Sequence, residues 1–240
     1  MTHYNTYPYA HLLSDQALVY LKTHTLLGKL VPLPVKTKKI LDVGCGASAV
    51  IERFNQLYWQ RQVTAIDASS ISLQAAKKLA PADYRLASAA KLPFPDKTFD
   101  LILSCGVIHH IPEYLIVFSQ ISRVLRPKGL VYLTLYNPTH PYRYLYALFI
   151  FRLFYPQFWL NLFSPLYFIL YNLFSLLILK SFSSFSEARS DLADRFFNPY
   201  VHFFSCRELN QIYKLNHLKI VNQSRHALGT MNSYLLTKYV

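Results

Sequence analysis

The chain has 240 residues, a formal net charge of +13 and three cysteines. This length suits one α/β domain with room for an inserted sub-domain, while so few cysteines exclude a disulfide framework and indicate a reducing, cytoplasmic compartment. Charged residues make up 15% of the chain, against roughly 25% in a typical globular domain, so we expect an apolar surface on the molecule.

The first 37 residues form a polar and aromatic leader. Within it we predict a short helix near 14–28, which Pro32 and Pro34 end. No basic region precedes an apolar run here, so we expect no secretory signal.

Short apolar runs and helical segments then alternate up to residue 137. We predict a cap at Ser69 or Ser70 for the second helix and a turn at 127–129 before the fifth strand. The five predicted strands are 38–43, 63–67, 83–88, 99–105 and 130–136. The three predicted helices are 48–58, 69–80 and 113–126. This alternation predicts parallel strands joined by right-handed crossover helices, as in Rossmann-like, doubly wound α/β folds.

Residues 138–199 break the alternation and form a predicted apolar insert. From Leu153 to Leu179 the chain has 27 residues without Asp, Glu, Lys, Arg or His, which is long enough to span a bilayer. Strands of one sheet precede and follow the insert, so both of its ends must lie on the same side of any membrane. We therefore predict a lid of two or three helices broken near Pro156 and Pro165, or a re-entrant hairpin.

The regular pattern resumes after the insert. Residues 205–208, Ser-Cys-Arg-Glu, form a capping box that opens a helix ending near residue 216. Two further strands are predicted, at 218–228 and 232–240. They complete a mostly parallel seven-stranded sheet, so the predicted domain comprises 38–137 and 200–240.

The basic excess has three interpretations: a solvated surface, an anionic membrane, or RNA. The basic residues are scattered, without a run that suits a nucleic-acid arm, so RNA is the least favoured partner. Arg143, Arg152 and Lys180 flank the apolar stretch, as anchors at a lipid headgroup surface would. We expect peripheral membrane contact through 144–180; the alternatives are a purely intramolecular lid and an oligomer interface, and the oligomeric state stays open.

A glycine turn follows the first strand, in the sequence Ile-Leu-Asp-Val-Gly-Cys-Gly-Ala-Ser at 40–48. Gly44 and Gly46 lack a Cβ, so the main chain can turn tightly and approach a ligand closely. The N-terminus of the next helix favours a carboxylate or phosphate group. Asp67 lies 21 positions after Gly46, at the end of the second strand, where its carboxylate can accept hydrogen bonds from both hydroxyls of a ribose.

Three later segments follow in the order typical of one family: Leu92–Asp100 (LPFPDKTFD), Gly106–Pro112 (GVIHHIP) and Ile121–Gly129 (ISRVLRPKG). With the glycine turn and the acid after the second strand, they resemble class I S-adenosylmethionine-dependent methyltransferases of the small-molecule type. The resemblance is strong over 38–136 and loose over 200–240. It implies a Rossmann-like fold and S-adenosylmethionine as the cofactor, and we expect no metal.

The resemblance also implies where each part of the cofactor would bind. The glycine turn would line the methionyl end, the acid after the second strand would hold the ribose, the next segment would line the adenine, and the end of the fourth strand would lie near the sulfonium. These residues are Asp42, Gly44, Cys45, Gly46, Asp67, Ala68, Ser88, Ala89, Ser104, Cys105 and Gly106. The sequence departs from the family pattern at Ser88, where Asp is frequent, and at Ser48, where a third glycine is frequent.

An NAD-type dinucleotide site is the alternative for the glycine turn. Gly44-x-Gly46-x-x-Ala49 formally fits the turn of such sites. Asp42, just before the turn, and the segment 92–100 favour the methyltransferase instead.

His109, His110 and His202 are the candidate catalytic bases. The first two follow the fourth strand, where a parallel sheet presents its ligand edge, and the third lies just before the last helix. A base is needed only where the acceptor must lose a proton; otherwise alignment of the acceptor suffices. We predict in-line methyl transfer to a hydrophobic or lipid-like small molecule. The alternatives are a membrane-associated cofactor-binding or scaffold protein without turnover, and an RNA methyltransferase.

Overall fold

A seven-stranded sheet forms the centre of the protein. The computed structural model describes residues 39–46, 62–141, 143–144, 146, 154–178, 184–225 and 231–239. The strands are β1 (Lys39–Val43), β2 (Gln62–Asp67), β3 (Asp83–Leu86), β4 (Phe99–Cys105), β5 (Leu125–Tyr136), β6 (Leu218–Arg225) and β7 (Met231–Lys238). Their order is β3-β2-β1-β4-β5-β7-β6. The predicted helices near 14–28 and at 48–58 lie outside the described residues.

The pairing of the strands confirms the predicted mostly parallel, Rossmann-like sheet. β1 to β5 run parallel to one another, and β7 is antiparallel to both β5 and β6. The strand order reverses at β1, which lies between β2 and β4. In such sheets the crevice beyond the carboxyl ends of the strands at this point is where ligands bind.

Five helices are described around the sheet: α1 (Ser70–Leu79), α2 (Tyr114–Val124), α3 (Pro156–Ile178), α4 (Phe185–Phe196) and α5 (Cys206–Leu215). Two begin where a serine caps them, as predicted. The Ser69 hydroxyl accepts from the amide of Ser72, and the Ser205 hydroxyl accepts from the amide of Glu208, both at 3.2 Å. These bonds satisfy amides that the first helical turn leaves unpaired.

The alternating side chains of the strands bury both faces of the sheet. On one face, Ile102 and Leu133 pack with Phe118 of α2 and Ile212 of α5. On the other face lies a second cluster that includes Ile40, Ala65, Leu101, Leu103 and Tyr132. Strands buried on both faces explain the continuous apolar runs of the sequence.

β5 begins earlier than predicted. Leu125–Tyr136 is one strand, so the predicted turn at 127–129 lies within it. Lys128 has a φ of 61°, and the register between β4 and β5 shifts between Phe99 and Leu101. The residues of the predicted turn therefore distort β5 locally, and the pairing of β5 with β4 continues on both sides of them.

The insert contains α3 and α4, and its helices differ from the prediction at one proline. α3 begins at Pro156, but it continues through Pro165, where we expected a break. Pro165 removes the hydrogen bond to the carbonyl of Asn161, and its ring crowds that carbonyl. Asn161 is exposed, so water can solvate the carbonyl. Leu160 packs against Leu192 of α4 and stabilises the helix through this point. None of the helices in the described part of the chain combines the length and hydropathy that a bilayer crossing requires.

Candidate active site

The glycine turn after β1 is fastened to the end of β2. The amides of Gly44 and Cys45 both donate to the carbonyl oxygen of Ile66, at 2.9 and 3.0 Å. Gly44 and Gly46 have φ values of 74° and 52°, in the left-handed region that glycine adopts without steric cost. These two main-chain bonds hold the turn against the neighbouring strand.

Asp67 ends β2 and joins this turn through its side chain. One carboxylate oxygen accepts from the amide of Gly46 at 2.9 Å, and the other accepts from the amide of Ser69 at 2.8 Å. Burial raises the pKa of Asp67, and the backbone donors, led by Ser69, oppose the shift. Each carboxylate oxygen has a second lone pair, so Asp67 can still accept hydrogen bonds from a ligand's hydroxyls.

Asp42 lies below the turn and is 2% exposed. Burial raises the pKa of its carboxyl to about 7, and the negative charge of Asp67 adds to the shift. Two carboxyl groups at neighbouring strand ends create a site that favours a positively charged ligand group. Such a group lowers the cost of burying their negative charges and weakens the repulsion between them.

The end of β4 meets the glycine turn at Val107. A Cβ placed on Gly44 would lie 2.5 Å from both methyl groups of Val107, so the missing side chain lets the two loops touch. Ser104 is fully buried, and its hydroxyl has no hydrogen-bond partner within the part of the chain that the structure describes. Cys105 and Cys45 both pack against the cluster on the second face of the sheet. The structure therefore brings together the predicted residues of the turn and of β4.

The segment after β3 is arranged as a turn. The Ser88 hydroxyl accepts from the amide of Ala90 at 3.2 Å, and the Ser88 carbonyl accepts from the amide of Lys91 at 3.0 Å. Ser88 and Ala68 are exposed, while Ala89 is buried in the core. Ser88 thus stabilises its own loop, and its exposed position leaves the hydroxyl within reach of solvent.

His109 and His110 follow β4 in a short 3-10 turn, Ile108–His110, and are buried. The His109 ring lies 3.9 Å from the Tyr136 ring and 4.3 Å from the His110 ring, between ring centroids. Burial lowers the pKa of His109 well below its usual value, and His110 adds to that shift. Burial also lowers the pKa of His110, although the Asp194 carboxylate, 3.8 Å from Nε2, opposes it. Both rings are therefore neutral at neutral pH.

His202 is the candidate base whose side chain is partly exposed, at 30%. Its Nε2 lies 2.8 Å from Oε1 of Glu208, and its ring stacks on Tyr114 with 4.7 Å between centroids. The Tyr114 hydroxyl donates to the same Glu208 oxygen at 3.1 Å. The sequence did not connect Glu208 and Tyr114 with His202, because the capping box assigned Glu208 only to the start of α5.

Arg123 explains why the segments around 92–100 and 121–129 occur together. It donates to the carbonyls of Leu92 and Phe94 at 2.9 and 2.8 Å and to the Asp96 carboxylate at 2.8 Å. Arg126 pairs with Asp100 at 2.7 Å. These bonds hold one segment against the other, so the two motifs stabilise the fold and are not part of the candidate site.

Comparison with known proteins finds relatives of this fold. The topology and the acid-linked glycine turn are those of a Rossmann-like domain. Residues 41–133 match the family described as "Methyltransferase domain". A solved S-adenosylmethionine-dependent methyltransferase of Methanosarcina mazei has a TM-score of 0.54 at 17% identity, covering 86% of this chain and 95% of that one. Residues 41–133 are therefore similar in sequence to a methyltransferase domain, and the chain shares the fold of this solved structure.

Two curated relatives are similar over part of their length. A ubiquinone biosynthesis O-methyltransferase of Bartonella tribocorum is 30% identical over 112 residues, covering 45% of this chain and 44% of that protein. A fatty-acid O-methyltransferase of Mycolicibacterium smegmatis is 30% identical over 98 residues, covering 40% of this chain and 36% of that protein. The chain thus spans less than half the length of these relatives.

The residues present fit S-adenosylmethionine, the cofactor that the resemblance implies. Asp67 keeps lone pairs for the ribose hydroxyls, and the two buried carboxyl groups favour the positive charges of an amino acid and a sulfonium. The buried, unbonded hydroxyl of Ser104 at the end of β4 adds a polar group that a ligand can satisfy.

Proposed function

We propose that this protein transfers a methyl group from S-adenosylmethionine to an oxygen of a hydrophobic small molecule. The observation that carries the proposal is the bond of 2.9 Å between the amide of Gly46 and the carboxylate of Asp67. It joins a glycine turn and a ribose-binding acid across two neighbouring strand ends, next to the end of β4. The proposed function supplies a reason for that arrangement, which a purely structural turn does not need.

Four residues would hold the cofactor: Asp42, Gly44, Gly46 and Asp67. Bound there, it supplies an electrophilic methyl group on a cationic sulfur, so the chemistry needs alignment and exclusion of water more than covalent help. The glycine turn lets the main chain approach the cofactor closely, and the two carboxylates make the electrostatic potential of the site negative. Val107, packed on Gly44, sets the spacing between the turn and the loop after β4.

His202 is the residue that we propose to accept the proton of the acceptor. Its Nε2 carries the hydrogen that Glu208 accepts, so its Nδ1 is the basic nitrogen. His109 and His110 are buried and neutral, and in the proposal they shape the loop on which His202 rests. Glu208 orients His202 and stabilises its charged form, as an acid beside a general base does.

Aromatic side chains beside this loop support an apolar acceptor. The Phe203 ring lies 6.0 Å from that of Tyr136 and 6.1 Å from that of Tyr146, between centroids. Tyr136 in turn packs on His109. The names of the two relatives concern a quinone pathway and a fatty acid, and both include O-methyl transfer, which supports an oxygen of a lipid-like acceptor.

The test is incubation of the full chain with S-adenosylmethionine that carries a labelled methyl group, together with separate lipid, polar metabolite and RNA pools. We expect label in the lipid pool, in a product whose methyl group alkaline hydrolysis or mass spectrometry assigns to oxygen. Label in RNA alone would overturn the hydrophobic acceptor. Heat of binding with the cofactor in calorimetry, but no label in any pool, would favour a cofactor-binding scaffold without turnover.

A further inference from the structure

One side of α3 exposes a continuous row of large apolar side chains. We define this apolar face by Phe158, Leu162, Leu166, Ile169, Leu173 and Leu176, each between 50% and 61% exposed. Spacings of three and four residues place them on one side of the helix. At 1.5 Å per residue, the row is about 27 Å long.

Folding of the chain buries the other side of α3. Leu160 is fully buried against Leu192, Ala193 and Phe197, and the Tyr167 hydroxyl donates to Asp191 of α4. The internal contacts of the insert are thus made on the side opposite the apolar face. A soluble monomer rarely leaves so large a continuous apolar surface in water, so this face indicates a binding partner.

The charges around α3 identify the kind of partner. The helix contains no charged residue, and the sequence from Tyr114 to Ser186 contains no Asp or Glu. Arg189 of α4 donates to the Asn161 side chain at 2.7 Å, which places a cation at the edge of the apolar face. The chain as a whole carries a net charge of +13. An apolar helix face with a cation at its edge, in a helix that has no acid of its own, is complementary to an anionic lipid surface.

The hydrogen bonds of the polar side chains of α3 are compatible with a helix that lies in the membrane interface. Asn172 is buried and donates to the carbonyl of Phe168 at 3.1 Å. The Asn161 oxygen accepts from Gln157 and Arg189. Neither amide therefore needs to lose its hydrogen bonds when the apolar face enters lipid.

We propose that α3 lies parallel to the surface of an anionic membrane, with its apolar face among the upper acyl chains. The insert then connects that surface to the candidate site, because Asp194 of α4 lies 3.8 Å from His110, and the amide of His202 donates to His109. The entry of a lipid-like acceptor from the bilayer rests on the proposed function. The membrane contact itself does not, since binding needs no turnover.

The experiment measures sedimentation of the full chain with vesicles of phosphatidylcholine alone and of phosphatidylcholine mixed equally with phosphatidylglycerol. We expect the chain to bind the mixed vesicles and to bind less as salt rises. Failure of the unaltered chain to bind the mixed vesicles overturns the proposal, and this result depends on no variant.

A triple variant tests whether the apolar face makes the contact. Leu162→Ser, Ile169→Ser and Leu173→Ser together are expected to lower the partition coefficient about 100-fold, because three half-exposed apolar side chains no longer enter lipid. The matched control is Leu215→Ser with Val221→Ser, which are 77% and 55% exposed outside α3 and should leave binding unchanged. Equal losses in both variants overturn the assignment to α3.

Two further readouts separate the explanations. Light scattering that shows a dimer which the triple variant converts to a monomer, with vesicle binding unchanged, overturns the lipid partner in favour of a second copy. Calorimetry with S-adenosylhomocysteine on the triple variant should give unaltered affinity, so loss of membrane contact and loss of cofactor binding are distinguishable. A binding-competent triple variant also shows that the domain remains folded.

Discussion

The main-chain amide of His202 donates to the carbonyl oxygen of His109 across 2.8 Å. This bond joins the segment that leaves the insert to the loop that follows β4. A second contact beside it, 3.1 Å between Nδ1 of His110 and the carbonyl oxygen of Tyr200, fastens the same two segments. The three predicted histidines therefore form one structural unit, in which two are buried and one reaches solvent.

Replacing Glu208 should separate the chemical step from acceptor binding. Glu208→Gln keeps the size and one acceptor oxygen but removes the charge that stabilises a protonated His202. We expect kcat to fall about tenfold with little change in the KM for the acceptor, and His202→Ala to lower kcat about 100-fold. Steady-state kinetics with a labelled acceptor measures both constants.

The control for this experiment is Glu113→Gln. Glu113 is an exposed acid directly before α2 and makes none of the contacts proposed for Glu208. Its kcat should equal that of the unaltered chain. Full activity of His202→Ala would contradict a proton-accepting role and leave alignment of the acceptor as the sole contribution.

Asp67 should be required for cofactor binding. Asp67→Ala removes the acceptor for the amides of both Gly46 and Ser69, and with it the carboxylate proposed to hold the ribose. Hydrogen bonds to charged groups contribute about 1.5–3 kcal/mol each, so we expect affinity for S-adenosylhomocysteine to fall at least tenfold in calorimetry. Asp83→Asn is the control, because Asp83 is exposed and pairs with Arg85 on an outer strand; a similar loss there would argue against a specific role for Asp67.

The sequence predicted the sheet well because its signals are local. Apolar runs bounded by turn residues located the central strands, and the serine caps at Ser69 and Ser205 located two helix starts. The glycine turn and Asp67 were predicted together, and the structure joins them by a hydrogen bond. What these features share is that each depends on neighbours in the chain or on the fixed geometry of parallel strand ends.

Contacts between distant parts of the chain could not be predicted from these local patterns. The capping box located the start of α5, yet the Glu208 carboxylate binds Tyr114, 94 positions away. Pro165 predicted a break, but burial of Leu160 against α4 stabilises a continuous helix. His109 and His110 were predicted as candidate bases from their place after a strand, whereas both are buried and the segment around Tyr200 contacts them. Each of these outcomes is decided by tertiary packing.

The stability of the ligand-free protein should fall as pH rises towards 7 because of Asp42. Its pKa is raised from 3.8 in a model compound to about 7 in the fold, so the folded state binds more protons than the unfolded state between these values. Stability is therefore lost as pH rises through this window, by at most about 4 kcal/mol. Urea unfolding at pH 5 and pH 8, in the unaltered chain and in Asp42→Asn, measures the effect.

Asp42→Asn should be less sensitive to pH in that window and more stable than the unaltered chain at pH 8. It should also bind S-adenosylmethionine less tightly at pH 8, because the neutral amide does not attract a positively charged group. Identical pH dependence of the two proteins would show that Asp42 ionises at its ordinary pKa and is not the group responsible.

Gly44 should tolerate a side chain less well than Gly106, although both need a positive φ. Their φ values are 74° and 76°, so alanine costs each about 1–2 kcal/mol in backbone strain. At Gly106 the nearest atom to a new Cβ is Met231 Cε at 3.6 Å, an ordinary contact, whereas at Gly44 two Val107 methyl groups lie at 2.5 Å. We expect Gly44→Ala to cost about 1–3 kcal/mol more than Gly106→Ala, through overpacking.

The double variant Gly44→Ala with Val107→Ala isolates that clash. Removing the Val107 methyl groups should relieve the overpacking but not the φ strain. The changes in unfolding free energy of the two substitutions should therefore be non-additive by more than about 0.5 kcal/mol. Urea unfolding of the four proteins in the cycle gives the coupling free energy. Additive costs would mean that the loop after β4 moves aside freely, and the contact between Val107 and the glycine turn would then not set the spacing of the cofactor site.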